Sequence, residues 1–196
     1  MSPTRLRLPR LPLLVAALVL HGAAPLGVHV APAGAQELAR GLKEPAVFKL
    51  ASSAVADRGT LPARYSCDGN GVRPPLEWSK VPAGTKSFVL VLDDASNRKT
   101  FWARWLVYNI PASVTSLPEG GALPEGAREG RSDWNKPGYD PPCPAKGRRD
   151  YVVTLYALNS MLPDLGPEPT RSTILNATDR KVIGWARLFF SYTRAR

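Results

Sequence analysis

Histidine is nearly absent from this sequence, whose 196 residues contain only His21 and His29. Both lie within the first 35 residues, which have the pattern of a removable export signal. A mature chain without histidine excludes Ser-His-Asp triads, Cys-His dyads and histidine-ligated metal sites. Ser52, Ser53 and Ser66 also lack a lysine three residues further on, the spacing used in Ser-Lys catalysis. We therefore predict a protein that is not an enzyme and that uses no metal and no cofactor.

Long apolar runs are equally scarce, and only residues 11–24 resemble a membrane-inserting segment. Three arginines precede this run, and Ala33-Gly34-Ala35 follows it as a small-residue cleavage site. A retained membrane anchor is the alternative, but the run is shorter than the ~20 residues of a span. We predict a signal peptide over 1–35, a flexible segment over 36–47 and one domain over 48–196. The protein would be periplasmic or secreted, with no transmembrane segment once the signal is removed.

Positive charge is in excess, but the basic residues do not form a cluster in the sequence. The 161 residues after the cleavage site hold 23 basic and 16 acidic residues, a net charge of +7. The basic residues are scattered, and no nucleic-acid-binding motif accompanies them. This distribution is typical of a solvated surface, so we expect no nucleic-acid partner.

Cysteine is limited to Cys67 and Cys143. An even pair in an oxidising compartment suggests a disulfide, and both residues lie in loops beside strands that we place near one site. Two reduced thiols that never meet are the alternative.

What the chain does contain is a series of apolar runs rich in β-branched and aromatic residues. Strands are predicted over 86–93, 102–110 and 151–156, with a turn at 93–97 after the first of them. Smaller elements are a short extended piece over 61–65, a short helix within 170–179, and a final strand or helical tail over 185–192. No βαβ alternation is present. The fold class predicted is mainly β: an antiparallel β-sandwich with a few short peripheral helices.

Several polar residues adjoin these strands. Asp93 and Asp94 are neighbours, so strand geometry points them to opposite faces, and they cannot easily act together on one substrate. Arg104 lies inside a strong strand and needs a partner or a cavity, or else an edge position that reaches water. Arg149 and Tyr151 share one face at the start of the next strand. Arginines in such positions suit phosphate or carboxylate ligands.

The stretch from Ser132 to Leu158 leads into that strand through a proline-rich loop, which contains Tyr139, Pro142 and Cys143. A stiff loop of polar and aromatic residues feeding a rigid strand is a common way to build a binding site. An ordinary surface loop is the other interpretation.

Several ordered motifs resemble one known family, the phosphatidylethanolamine-binding proteins (PEBP), in their bacterial Raf-kinase-inhibitor-like branch. The motifs are Leu61–Gly69 (LPARYSCDG), Pro74–Trp78 (PPLEW), Val81–Ser87 (VPAGTKS), Trp105–Pro111 (WLVYNIP), Gly138-Tyr139 with Pro142–Pro144, and Tyr151–Leu158. The resemblance covers about residues 48–192. It implies antiparallel sheets with short helices and a small cavity for phosphate-like or other anionic groups. It also implies a binding or inhibitory protein.

In the family this cavity is lined by an Asp-Pro-Asp-Ala-Pro turn, a histidine before a strand tryptophan, and a His-Arg-Tyr run. Here the turn reads Leu92–Ser96 (LDDAS), the residue before Trp105 is Arg104, and the run is Arg149–Tyr151 (RDY). Two imidazoles are thus replaced by two permanent cations, which repel each other unless an anion or a carboxylate neutralises them.

Two hypotheses follow. The first is an exported binding protein with an arginine-lined pocket for a small anionic ligand or phosphorylated headgroup. Its candidate ligand-binding residues are Asp93, Asp94, Arg104, Tyr139, Pro142, Cys143, Arg149 and Tyr151. The second is a protein-interaction or inhibitor module, kinase- or protease-inhibitor-like, whose pocket is filled by its own salt bridges. Pairing of Arg104 and Arg149 with internal carboxylates, with no void left, would favour the second hypothesis.

The export prediction can be tested by producing the full chain in a bacterium and measuring the intact mass. We expect a soluble periplasmic product that begins at Gln36, because the small residues at the cleavage site admit signal peptidase. A variant with Ala33→Leu and Ala35→Leu should retain the full mass, and full-length wild type in the membrane fraction would contradict the prediction.

Overall fold

The computed structural model describes residues 45–97 and 99–194, and the predicted export signal and most of the flexible segment lie outside these residues. The strands are β1 (Ala46–Val47), β2 (Lys49–Ala51), β3 (Gly59–Thr60), β4 (Leu76–Ser79), β5 (Ser87–Asn97), β6 (Thr100–Pro111), β7 (Ser116–Leu117), β8 (Arg128–Glu129), β9 (Gly147–Leu158) and β10 (Val182–Arg194). One α-helix, α1 (Arg171–Ala177), is present in the described part of the chain. The mainly β prediction is confirmed.

Four long strands, β10-β9-β5-β6 in spatial order, form the antiparallel centre of a seven-stranded sheet. Strand β8 extends this sheet beside β6, while the two-residue strands β1 and β3 both pair with β10. Both of these short strands run parallel to β10. The sheet is therefore antiparallel except at this edge, a detail that the sequence pattern did not indicate.

A second sheet of three strands, β2-β4-β7, completes the sandwich. The main hydrophobic core includes residues of both sheets, with Trp78 of β4 packing edge-on against Phe88 of β5 at 5.5 Å between ring centroids. The alternating burial of β4, in which Leu76 and Trp78 are buried, is typical of a strand with one face on a core. We call the β5 face that carries Phe88, Leu90 and Leu92 the inner face.

The opposite face of the large sheet, the helix face, is partly covered by α1. Ile174 of this helix is fully buried in a second cluster that includes Val91 and Leu106. The helix begins after Thr170, whose side chain accepts a hydrogen bond from the backbone N–H of Thr173 at 3.3 Å. Both faces of β5 are thus covered, which explains its continuous apolar run.

Two local predictions were wrong. The predicted turn at 93–97 is absent because β5 continues to Asn97, and residues 63–65 form a 3-10 turn instead of an extended piece. Of the two alternatives for the run over 185–192, strand or helical tail, the structure has the strand. In β6, Trp105 pairs with Leu92 but Ala103 pairs with Asp93, so Arg104 is an extra residue at a β-bulge.

The predicted disulfide is present, and Cys67 and Cys143 are bonded with their Cα atoms 5.3 Å apart. It joins the loop after the 3-10 turn to the loop before β9. The backbone N–H of Cys67 also donates to the carbonyl of Pro142 at 3.2 Å, so the two loops are held by more than the sulfur bridge.

Reduction of this disulfide should lower the free energy of unfolding by about 4 kcal/mol, because a cross-link between residues 76 apart restricts the unfolded chain. Urea unfolding with and without reductant measures the difference. The variant with Cys67→Ser and Cys143→Ser should have the same urea midpoint as reduced wild type, and reductant should not change that midpoint. Equal urea midpoints for oxidised and reduced wild type would rule out a stabilising role.

Candidate functional site

A cavity of about 480 Å³ opens at one end of the inner face, where β5, β6 and β9 meet a long irregular loop. We call this loop, residues 131–146, the rim loop, and the opening the first cavity. Its lining residues are Asp94, Trp102, Arg104, Asp133, Trp134, Cys143, Pro144, Ala145 and Arg149.

Arg104 is the most buried cation of the first cavity, with 5% of its surface exposed. Its Nη1 group donates to Asp140 Oδ2 at 2.6 Å and to the carbonyl of Pro141 at 3.1 Å. The guanidinium also lies 3.7 Å from the ring centroid of Trp134. Its Nε group, by contrast, is buried without a hydrogen-bond partner among the described residues. A buried donor left unpaired is costly, so Arg104 would gain a hydrogen bond if its guanidinium shifted to meet a ligand in the void.

Arg149 enters the first cavity from β9 and is held less firmly. Its Nη1 lies 3.6 Å from Asp94 Oδ2, and its side chain is 45% exposed while that of Asp94 is 5% exposed. This separation is longer than a hydrogen bond, so the pair attracts mainly through charge. A half-exposed guanidinium at a cavity mouth can turn towards an incoming anion.

Tyr151 lies beneath these charges, opposite Asp94 in the pairing of β5 with β9. Its ring stacks on Phe190 at 5.6 Å, and its hydroxyl is buried with no partner among the described residues. Burial raises the pKa of this hydroxyl, and the charge of Asp94 adds to the effect. The phenol therefore stays protonated and remains a potential donor.

Backbone hydrogen bonds fix the rim loop to β6. The N–H of Asp133 donates to the carbonyl of Ala103 at 3.0 Å, and the N–H of Ala103 donates to Asp133 Oδ2 at 2.6 Å. Further along, the N–H of Asp140 donates to the carbonyl of Arg104 at 3.0 Å. The β6 edge thus places Asp133 in the lining of the first cavity and Asp140 against Arg104.

Two exposed tryptophans mark the mouth of the first cavity. Trp102 and Trp134 are 47% and 41% exposed, and their ring centroids are 6.1 Å apart. They give the mouth an aromatic rim above a charged interior.

Four of the predicted ligand-binding residues, Asp94, Arg104, Cys143 and Arg149, line the first cavity. Tyr151 does not line it, although the charges of this cavity act on its buried hydroxyl. Pro142 is buried in the wall behind, where its carbonyl accepts from Cys67.

Tyr139 belongs to the same wall. Its hydroxyl donates to the carbonyl of Tyr65 at 2.8 Å, and its ring meets Trp105 edge-on at 5.9 Å. Burial raises the pKa of the Tyr139 hydroxyl, which therefore stays protonated and keeps this hydrogen bond. Tyr139 thus contributes packing and a fixed hydrogen bond behind the cavity.

Asp93 does not reach the first cavity. As the strand alternation predicted, it points to the helix face, where Arg171 binds both of its carboxylate oxygens at 2.9 Å.

The sequence pattern missed Trp102, Asp133, Trp134, Asp140 and Arg171 as site residues. The only available signal for three of them was their position in the proline-rich stretch that begins at Ser132.

The electrostatics combine features of both hypotheses. Arg104 and Arg149 are each paired with a carboxylate, Asp140 and Asp94 respectively, as the second hypothesis requires. A void nevertheless remains between them, as the first requires. In residues 45–97 and 99–194, no group of three or more His, Cys, Asp or Glu side chains is placed to hold a metal ion. No helix in these ranges is long and apolar enough to cross a membrane.

The comparisons with known sequences agree with one another. A family model described as phosphatidylethanolamine-binding protein matches residues 51–193. A UPF0098 protein of Methanothermobacter thermautotrophicus is 40% identical over 151 residues, which cover 75% of this chain and 99% of the relative. The UPF0098 protein YbhB of Escherichia coli is 38% identical over 124 residues, covering 57% of this chain and 78% of the relative.

Solved structures lead to the same result. A PEBP homologue from Chlamydia trachomatis superimposes with a TM-score of 0.71 at 33% identity, covering 76% of this chain and 98% of that one. Escherichia coli YbcL, described as a member of the mammalian PEBP family, gives 0.70 at 29% identity, covering 75% and 98%. The chain belongs to the phosphatidylethanolamine-binding protein family.

Proposed function

We propose that this protein is an exported, non-enzymatic binding protein that takes a small phosphate-like anion in the first cavity, where arginines replace the family's histidines. The observation that carries the proposal is the convergence of two incompletely used guanidinium groups on one void. Arg104 offers an unpartnered Nε, and Arg149 is half-exposed and only loosely paired.

The lining of the first cavity is balanced in charge, since Asp94 and Asp133 offset Arg104 and Arg149, so it suits a small anion held mainly by hydrogen bonds. Arg104 is already neutralised by Asp140, so it can add hydrogen bonds without holding a full unpaired charge. Arg149 can exchange its 3.6 Å contact with Asp94 for closer, charge-assisted bonds to phosphate-like oxygens.

Export is supported by the signal-like pattern of residues 1–35 and by the bond between Cys67 and Cys143. Disulfides persist in oxidising compartments such as the periplasm and the cell exterior.

A second function is favoured by the ion pairs themselves. Because Arg104 and Arg149 both have carboxylate partners, the cavity could be closed by its own charges, leaving a module that binds or inhibits another protein. Wild type that binds neither phosphate nor sulfate would favour this function over the anion pocket.

Calorimetric titration with phosphate and with sulfate tests the proposal. Wild type should bind one anion, and Arg149→Gln should weaken binding by about tenfold or more, because charge-assisted hydrogen bonds contribute about 1.5–3 kcal/mol each. Arg104→Gln should also weaken binding, with thermal unfolding used to check that the variant is folded.

Arg148→Gln is the matched control. Arg148 precedes Arg149 in β9 but is exposed, lies outside the first cavity and pairs with Asp150 at 3.0 Å. The anion affinity of the Arg148→Gln variant should equal that of wild type. Equal anion affinity in wild type, Arg104→Gln and Arg149→Gln would contradict the assignment of the pocket.

The affinity for sulfate should be nearly independent of pH between about 5.5 and 8. Arginine is a permanent cation over this range, and burial raises the pKa of Tyr151 so that it also stays protonated. An Arg149→His variant should instead bind more tightly at pH 5.5 than at pH 8, since imidazole loses its charge near a pKa of about 6.5. A steep pH dependence in wild type would show that other groups control binding.

A further inference from the structure

A second cavity, of about 290 Å³, lies on the helix face of the same sheet, on the opposite side from the first. It forms where the cover of α1 stops while β5, β9 and β10 continue. Its volume is just below the range of small-molecule pockets, which are about 300–1,000 Å³ and lined mainly by apolar groups with a few polar ones.

The base of the second cavity is a bidentate ion pair. Arg171 Nε donates to Asp93 Oδ1 and Arg171 Nη2 donates to Asp93 Oδ2, both at 2.9 Å. Burial raises the pKa of the Asp93 carboxyl, an effect that Arg171 partly opposes. Burial alone would lower the pKa of Arg171, but the hydrogen bonds and charge of Asp93 raise it above its ordinary value. The Nη1 group of Arg171 has no hydrogen-bond partner among the described residues and remains available to a ligand.

The walls of the second cavity are aromatic and apolar. Phe101 is 44% exposed, although it is one of the large apolar side chains of β6, and its ring centroid lies 5.7 Å from the Arg171 guanidinium. Phe189 of β10 lies directly across from the buried Val152 of β9 in the strand pairing. These side chains, together with Tyr156, offer surfaces on which one ring could pack.

A second cation, Arg187, stands at the edge of the second cavity. It pairs across the sheet with Thr154, and its guanidinium lies over the ring of Trp185 at 4.8 Å. No carboxylate lies within ion-pair distance of Arg187 in the part of the chain that the structure describes. Because Arg171 neutralises Asp93, the lining keeps one net positive charge. The hydroxyls of Thr154 and Tyr156 also have no hydrogen-bond partner among the described residues.

We propose that the second cavity is a ligand site for a small organic carboxylate with a single aromatic ring. The carboxylate would bind between Arg171 Nη1 and Arg187, and the ring would lie against Phe101 and Phe189. Planar, bidentate recognition of a carboxylate is a natural role for guanidinium groups. The site is separate from the proposed anion pocket, since Asp93 and Asp94 point to opposite faces of β5 and no residue lines both cavities.

Calorimetric titration with phenylacetate tests this proposal, with phenylacetamide as the neutral probe of nearly the same shape. Wild type should bind phenylacetate at least tenfold more tightly than phenylacetamide. Arg187→Gln should reduce the affinity for phenylacetate by about tenfold, and because Arg187 is exposed, the variant should fold normally by thermal unfolding.

Two control variants locate the binding. Arg180→Gln removes an exposed arginine that pairs only with its neighbour Asp179 at 3.7 Å, and it should bind phenylacetate like wild type. Arg149→Gln should also bind phenylacetate normally, whatever it does to phosphate binding. The proposal is overturned if wild type shows no saturable phenylacetate binding, if phenylacetamide binds equally well, or if Arg149→Gln removes binding while Arg187→Gln does not.

Discussion

The structure depends on two adjacent buried carboxylates at the end of β5. Asp93 and Asp94 are 3% and 4% exposed, and strand geometry sends them to opposite faces of one sheet. A buried charge requires compensation, and each carboxylate has its own arginine: Arg171 on the helix face and Arg149 on the inner face. Both cavities are built around these pairs. The same dipeptide that prevents a two-carboxylate catalytic site therefore gives the sheet one charged site on each face.

The bulge at Arg104 imposes a second constraint. It inserts an extra residue into β6 and brings a guanidinium into a nearly dry environment, which Asp140 and the ring of Trp134 make tolerable. Both partners belong to the rim loop. The loop therefore neutralises the charge of Arg104, while the backbone of β6 holds the loop in place through hydrogen bonds. The bond from Cys67 to Cys143 fixes the far end of the same loop. Cavity wall, bulge and disulfide thus stabilise one another.

Sequence reasoning recovered what depends on local pattern. The long strands follow from apolar runs, and the separation of Asp93 from Asp94 follows from alternation. The face of Arg104 could not be predicted, because a bulge is set by the pairing of two strands and leaves no periodic signal. Asp140 lies 36 residues from Arg104, and Arg171 lies 78 residues from Asp93. Partners at such separations, in an irregular loop or a short helix, are brought together only by the complete fold.

The two guanidinium groups at the first cavity determine which other charges it must contain. Imidazole can become neutral and lower its own burial cost, whereas arginine cannot, so the carboxylates of Asp94 and Asp140 are required even without a ligand. The two pairs are not equivalent. Arg104 is held at 2.6 Å in a buried pair, and Arg149 at 3.6 Å with a half-exposed side chain. For the proposed anion, Arg104 would be the fixed donor, while Arg149 would leave Asp94 and close on the ligand. The affinity would then depend on how much better the anion holds Arg149 than Asp94 does.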